Sequence, residues 1–234
     1  MAELLDVLRT EQKYQLNRVE TAQMSYRLGQ VLHQDAHSSP DGYLVRSLYF
    51  DTPDNTDFYD KVDGYENRRK IRLRIYGSND SHAKLELKEK QGSLQRKRSL
   101  VLQREDAMRL CEGDYQVLLA QKSEFALELY GRMQQFLYRP KCLIEYNRIA
   151  FVVPDNDTRV TLDFNLRAAE GNNGLFDPNP MLYPIGEPGI ATMEVKFNWF
   201  LLSYVKALVS NPVKMQISAS KYGMARNKLI GTDM

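Results

Sequence analysis

Between Arg68 and Ser99 the chain reads RRKIRLRIYGSNDSHAKLELKEKQGSLQRKRS, and its polar positions recur with a period of two. That period belongs to strands, because successive side chains of an extended backbone point to opposite faces. Ile71, Leu73 and Ile75 share one face, and Lys70, Arg72 and Arg74 the other. Leu85 and Leu87 likewise oppose Lys84, Glu86, Lys88 and Lys90. After a turn at Gln91-Gly92, Leu94, Leu100 and Leu102 oppose Gln95, Lys97 and Ser99. From Arg68 to Arg98 eleven Lys or Arg stand against three Asp or Glu, whereas the whole chain carries only +2, so positive charge is concentrated here. Alone, this would be a half-solvated sheet with a basic outer face. Further segments repeat the pattern, and that repetition demands another explanation.

The length of 234 residues fits one domain spanning 1–234. An apolar content of 43% supplies a core, and 14 Tyr and 9 Phe suit strands. A near-neutral total argues against a general nucleic-acid binder. Cys111 and Cys142 lack metal or disulfide spacing and read as buried thiols. Glu3, Asp6 and Arg9 leave no signal-peptide apolar region, and no window is long and apolar enough for a membrane span. A cytoplasmic protein is expected.

In chain order, Leu4, Leu5 and Leu8 suggest a short helix over 2–9, followed by a strand over 11–19. Met24, Leu28, Val31 and Leu32 stripe a helix over 21–34. A loop over 33–42 leads to VRSLYFDT, where Leu48 and Phe50 alternate with Ser47, Tyr49 and Asp51. After an excursion over 54–63 and the basic strands, 104–137 takes the period of helices. Strand character returns over 141–153, with the facing of Glu145, Asn147 and Arg148 left open. In RVTLDFNL, Arg159, Thr161, Asp163 and Asn165 oppose Val160, Leu162, Phe164 and Leu166. The Gly-, Asn- and Pro-rich stretch 169–190 reads as a loop, ATMEVKFN as the last long strand, and 198–209 as a helix. SASKYGMAR suggests a final helix with a serine N-cap.

Amphipathic helices must cover the apolar strand faces, which leaves the charged faces on the far side. About eight twisted strands can close and turn that face inward. Such a lumen would hold Lys13, Arg72, Arg74, Lys88, Lys97, Arg159 and Lys196 with Glu11, Glu86, Asp163 and Glu194. Bases outnumber acids, and crowding them is costly unless an anion compensates. Arginine forks and lysine point charges suit phosphate oxygens, and spare carboxylates suit Mg²⁺ or Mn²⁺. No GxxxxGK[ST] or GxGxxG cradle is present, and His33, His37 and His82 lack ligand spacing. Phosphate chemistry here would rest on side-chain cations and a metal.

SLYFDT, RRKIRLRIY, LELKEK followed by a KR pair, IEYNRIAF, RVTLDFNL, MEVKF and SKY occur in that order. Together they resemble the VTC domain, the polyphosphate polymerase branch of the triphosphate tunnel metalloenzymes (CYTH-like). The resemblance spans about 10–226. It implies an α+β fold: an eight-stranded antiparallel β tunnel, closed as a barrel, with a basic polar lumen and helices outside. It also implies transfer of the γ-phosphate of ATP to a growing polyphosphate chain, with Mn²⁺ or Mg²⁺. ATP and polyphosphate would be the partners, without nucleic acid. By motif, Arg72, Arg74, Lys88 and Glu194 would be catalytic. Lys13, Lys97, Tyr146, Arg148, Arg159, Lys196 and Lys221 would bind substrate. Glu194 would hold the metal, with Glu11 and Glu86 as further candidates.

One departure separates branches of the superfamily. Hydrolases and cyclases typically open with ExExK, whereas this chain has Arg9-Thr10-Glu11-Gln12-Lys13. One glutamate fewer weakens the metal-and-water arrangement that hydrolysis needs, which favours phosphate over water as acceptor. The alternatives are a triphosphate or tripolyphosphate hydrolase of the same fold and a non-catalytic polyphosphate-binding protein.

Overall fold

The computed structural model describes residues 5–8, 10–36, 38–39, 41–92, 94–172, 174–210 and 216–231. In order, these form β1 (Leu5–Leu8), β2 (Thr10–Leu16), α1 (Arg18–Val31), β3 (His33–Gln34), β4 (Tyr43–Asp51) and α2 (Thr56–Val62). Then come β5 (Asn67–Ile75), β6 (His82–Gln91), β7 (Leu94–Gln103), α3 (Arg104–Cys111), a 3-10 segment (Tyr115–Gln121) and α4 (Glu124–Gln135). The rest comprises β8 (Arg139–Val153), β9 (Thr158–Glu170), β10 (Tyr183–Pro184), β11 (Ala191–Phe197), α5 (Ser203–Val209) and α6 (Lys221–Ile230).

All these strands belong to one antiparallel sheet, ordered β1-β7-β6-β5-β4-β8-β9-β11-β2, with β10 on β9 and β3 on β8. The expected eight-stranded closed barrel is therefore corrected: the hydrogen-bonded ladder is open and ends at β1 and β2. Those two ends are consecutive in the chain, with one residue between Leu8 and Thr10, so they lie within roughly 7 Å of each other. The sheet is also curled, because Lys88 on β6 reaches Glu11 on β2 at 2.9 Å. A tunnel-like shape results, with no ladder between β1 and β2.

The outer face carries the larger apolar clusters. Leu48, Phe50, Ile71, Leu73, Leu85, Leu87, Leu100 and Leu102 pack under α3, the 3-10 segment and α4. Leu16, Ile149, Phe151, Val160, Leu162, Met193 and Val195 pack under α1 and α5. Leu85 is fully buried, and truncating it to Ala would cost about 2–5 kcal/mol. The inner face has a smaller cluster, in which Val45, Tyr49, Ile144 and Tyr146 meet Phe58 of α2 and Tyr222 and Ala225 of α6. The last helix therefore sits on the same face as the lumen cations.

Several local expectations change for identifiable reasons. Leu5–Leu8 is a strand on β7, because a peptide this short gains more from an open edge than from helix nucleation; the remainder of the expected helix over 2–9 lies outside the described residues. The first long helix starts at Arg18, three residues early, because Asn17 and Glu20 form a reciprocal capping box. The helix expected from 198 starts at Ser203, after a turn with Trp199 at φ 59°. The alternation of RVTLDFNL breaks at Asn165, which has φ 54° and sits in a bulge against β8. Leu166 and Ala168 consequently join the inner cluster, and Asn165 turns to Asn147. The loop after Glu170 is strapped to the outer face: Leu175 and Phe176 are buried there, and Arg46 donates to the Leu175 and Asp177 carbonyls. Cys111 and Cys142 are free and buried, and burial pushes both thiols up to about 12.

Candidate functional site

The inner face surrounds a cavity of about 310 Å³ lined mostly by cations. Its position follows from the period-two pattern: β2 contributes Glu11 and Lys13, β5 Lys70, Arg72 and Arg74, β6 Lys88, β8 Tyr146 and Arg148, and β11 Glu194 and Lys196. Lys221 enters from the first position of α6. Ser220 caps that helix by accepting from the Gly223 amide at 3.1 Å.

Glu194 is the hub of one side. Its Oε1 lies 2.9 Å from Lys221 and 3.4 Å from Lys13, and its Oε2 lies 2.7 Å from Lys196 and 3.6 Å from Arg148. Burial alone would raise the Glu194 carboxyl, but Lys196, Lys221, Lys13 and Arg148 offset this and hold it well below its ordinary value. Arg148 forks onto Asp163 at 2.6 and 2.7 Å, and Lys221 adds a contact to Asp163 at 2.6 Å. Glu11 faces Lys88 at 2.9 Å and Lys13 at 3.2 Å, and is likewise held ionised despite burial.

A second hub is Glu86, which is 2% exposed. Arg72 Nε donates to it at 2.6 Å and Lys97 Nζ at 3.1 Å, with Arg74 at 3.8 Å. Arg74 also donates to Ser47 Oγ at 3.2 Å and Tyr146 Oη at 3.3 Å. Glu86 thus fixes the two arginines whose guanidinium groups line the cavity. Tyr146 lies between cations, with Lys221 Nζ 4.8 Å and Arg148 Cζ 5.3 Å from its ring centroid.

The structure brings Glu11, Lys13, Arg72, Arg74, Lys88, Tyr146, Arg148, Glu194, Lys196 and Lys221 to this wall. It does not bring Lys97, Arg159 or Glu86 there. Lys97 stands behind Arg72 on Glu86, and Arg159 pairs with Asp35 at 2.6 Å and Tyr43 Oη at 3.0 Å. Sequence parity put Lys70 on the inner face, but motif reasoning passed it over as a site residue. Lys61, Arg68 and Lys90 at the rim, and Ser218 and Ser220, were also missed. The sequence marks Ser220 only as a helix N-cap and as part of the SKY motif, and Ser218 not at all, because it is tertiary packing that brings 216–220 to the cavity.

No group of three or more His, Cys, Asp or Glu suited to a metal occurs among the described residues. Glu11, Glu89 and Glu194 are the carboxylates lining the cavity; Glu89 is taken by Arg98 at 3.0 Å, and cations surround Glu11 and Glu194. This donor set does not fit an ion caged by protein alone. It fits Mg²⁺ or Mn²⁺ carried on phosphates, which takes one or two protein carboxylates. Glu86 does not fit, since it does not line the cavity and its oxygens are taken by Arg72, Arg74 and Lys97.

A curled antiparallel sheet with helices packed on it and a cation-crowded lumen defines a tunnel-like β protein with a basic interior. The chain belongs to the VTC domain family, whose model matches residues 8–230. Its structure is similar to that of an adenylyl-cyclase-like protein from Hippeastrum described as having a dominant triphosphatase activity, at 15% identity and a TM-score of 0.57, covering 94% of this chain and 96% of that one. An adenylate-cyclase-like protein from Bacillus halodurans gives 12% identity and a TM-score of 0.49, covering 97% and 90%. An inorganic triphosphatase gives 16% and 0.35, covering 94% and 95%. The fold comparison rests on the first of these. No curated protein matches the chain by sequence. No described helix is long and apolar enough to cross a membrane.

Proposed function

We propose that the protein is a polyphosphate polymerase that transfers the γ-phosphate of ATP to the end of a polyphosphate chain. The observation that carries this reading is the imbalance at the cavity wall: twelve Lys or Arg, among them Lys13, Lys70, Arg72, Arg74, Lys88 and Lys221, line it against three carboxylates, Glu11, Glu89 and Glu194. Such a wall demands a multiply charged anion, and membership of the VTC family supports phosphate chains as that anion. A terminal phosphate oxygen of the acceptor attacks the γ-phosphorus, a new P–O–P bond forms, the β–γ bridge breaks, and ADP leaves. No protein nucleophile is needed, so positioning and electrostatics carry the chemistry.

Arg72 and Arg74, held by Glu86, neutralise equatorial oxygens of the transferred group. Lys13, Lys88, Arg148, Lys196 and Lys221 bind the flanking phosphates. Glu194 would hold a Mn²⁺ or Mg²⁺ that supplies charge neutralisation on neighbouring phosphates. Purified protein with ATP and Mn²⁺, with and without a short polyphosphate primer, should give a ladder of growing chains and ADP on a gel. Orthophosphate without a ladder would replace this reading with a hydrolase.

The hydrolase is the second reading, supported by the triphosphatase activity described for the Hippeastrum protein. Glu11 discriminates the two. Under the polymerase reading Glu11→Ala retains chain growth, because the acceptor needs no activated water. Collapse of activity in that variant would put Glu11 in the metal's coordination shell.

A further inference from the structure

Most cavity cations are answered by a carboxylate, but one corner is not. Lys70 of β5, partly buried in the wall, has no carboxylate partner among the described residues; its Nζ donates to Ser220 Oγ at 2.5 Å. Lys61 of α2 is in the same position, donating to Ser218 Oγ at 3.3 Å. Lys13 donates to the Ala219 carbonyl at 2.9 Å between them. Lysines from three separate elements therefore converge on three consecutive residues, 218–220, that offer only neutral oxygens. The charged groups facing Lys70 are all cationic: Lys13 on β2, Lys88 opposite it on β6, Lys61 on α2 and Arg68 on its own strand.

We propose that Lys70, with Ser220 as its resting acceptor, is a docking point for one phosphoryl group of a linear phosphate chain, extending the site from the Glu194 cluster towards the basic rim. The inference rests on the tunnel being a phosphate-chain site. A neutral hydroxyl is a poor counterpart for an ammonium, so an arriving phosphate oxygen displaces Ser220 Oγ as acceptor and gains a charge-assisted bond. Lys61 and Ser218 repeat the arrangement towards the rim and give the chain a second step outward.

A linked consequence separates Lys70 from its paired neighbours. Burial, reinforced by the surrounding cations, pushes its ammonium down to about 7. In the empty site at pH 8 Lys70 is therefore largely neutral, and an incoming phosphate recharges it. Binding then takes up a proton at this side chain.

The test is calorimetric titration of the full chain with tripolyphosphate at pH 8 in two buffers of different ionisation heat. Lys70→Met should weaken binding roughly 10- to 100-fold, the loss of one hydrogen bond to a charged group. Lys70→Arg, permanently charged, should bind at least as tightly as the native protein and take up fewer protons on binding. The difference in uptake isolates Lys70, because the phosphate's own protons and those of Lys88 are common to both proteins. If Lys70→Met binds like the native protein, or Lys70→Arg takes up as many protons, the Lys70 assignment is overturned and the tunnel reading stands. If the native protein binds no tripolyphosphate, both fall.

Discussion

Two clusters on opposite faces of the sheet use similar basic residues to different ends. On the outer face Glu145, 3% exposed, meets Arg46 Nε at 2.7 Å and Nη2 at 2.6 Å, and also meets Arg167. The remaining Arg46 nitrogen donates to carbonyls of the 171–190 loop. That cluster is complete, and what it does is hold a loop down. On the inner face Lys61 and Lys70 rest on serine hydroxyls, and the wall as a whole has more cations than acids. That cluster is complete only when an anion arrives. A buried cation therefore reads as structural where the fold supplies its acid and as binding where it does not.

The largest effect that would sharpen this contrast is on stability. Glu145→Ala leaves Arg46 buried without its acid and should destabilise the fold by about 3–5 kcal/mol in urea unfolding, while tripolyphosphate affinity, measured below the unfolding transition, stays unchanged. A fall in affinity instead would break the division between the faces. Arg74→Ala should do the reverse. Chain growth should fall roughly 100-fold or more, with little change in the unfolding midpoint, because Glu86 retains Arg72 and Lys97. Circular dichroism showing an unfolded variant would make Arg74 structural.

Smaller effects come from the pH dependence of stability. Lys70 has a folded value of about 7, below its unfolded value, so the cost of charging it is fully present below pH 7 and is relieved as pH rises towards 10.5. Lys70→Met should thus be more stable than the native protein at pH 7, by on the order of 1 kcal/mol, and the gap should narrow by pH 9.5. A constant gap would show that Lys70 does not titrate in that range. The smallest test lies at Asp57 on α2, where burial and then the Asp51 charge push the carboxyl up to about 7. A raised carboxyl contributes stability that is present below 3.8 and lost as pH rises through 7. Asp57→Asn should flatten the profile between pH 4 and 7, and an unchanged slope would assign it to other groups.

Much of the fold was legible because strands and amphipathic helices write their periods locally. Ile71, Leu73, Leu85 and Leu87 had only one face to bury, so Lys70, Arg72, Arg74, Glu86 and Lys88 had to share the other. The VTC motifs sit on the same strands. Legibility failed where a non-local contact or a single backbone angle overrode the period. Leu5–Leu8 followed the free edge of β7, and Asn165 reversed the facing of β9 beyond Phe164.

The sequence by itself determined which side chains of the regular strands β5 and β6 face inward, since parity along an extended chain is fixed by covalent geometry. It also determined the excess of bases on that face. Tertiary structure alone decided how those charges are matched. Glu86 secures Arg72, Arg74 and Lys97; Arg159 leaves the cavity wall for Asp35 and Tyr43; and α6 brings Lys221 to Glu194 and Ser220 to Lys70. Pairing depends on distances of a few ångströms between residues as far as 206 positions apart, and strand curl and helix docking set those distances.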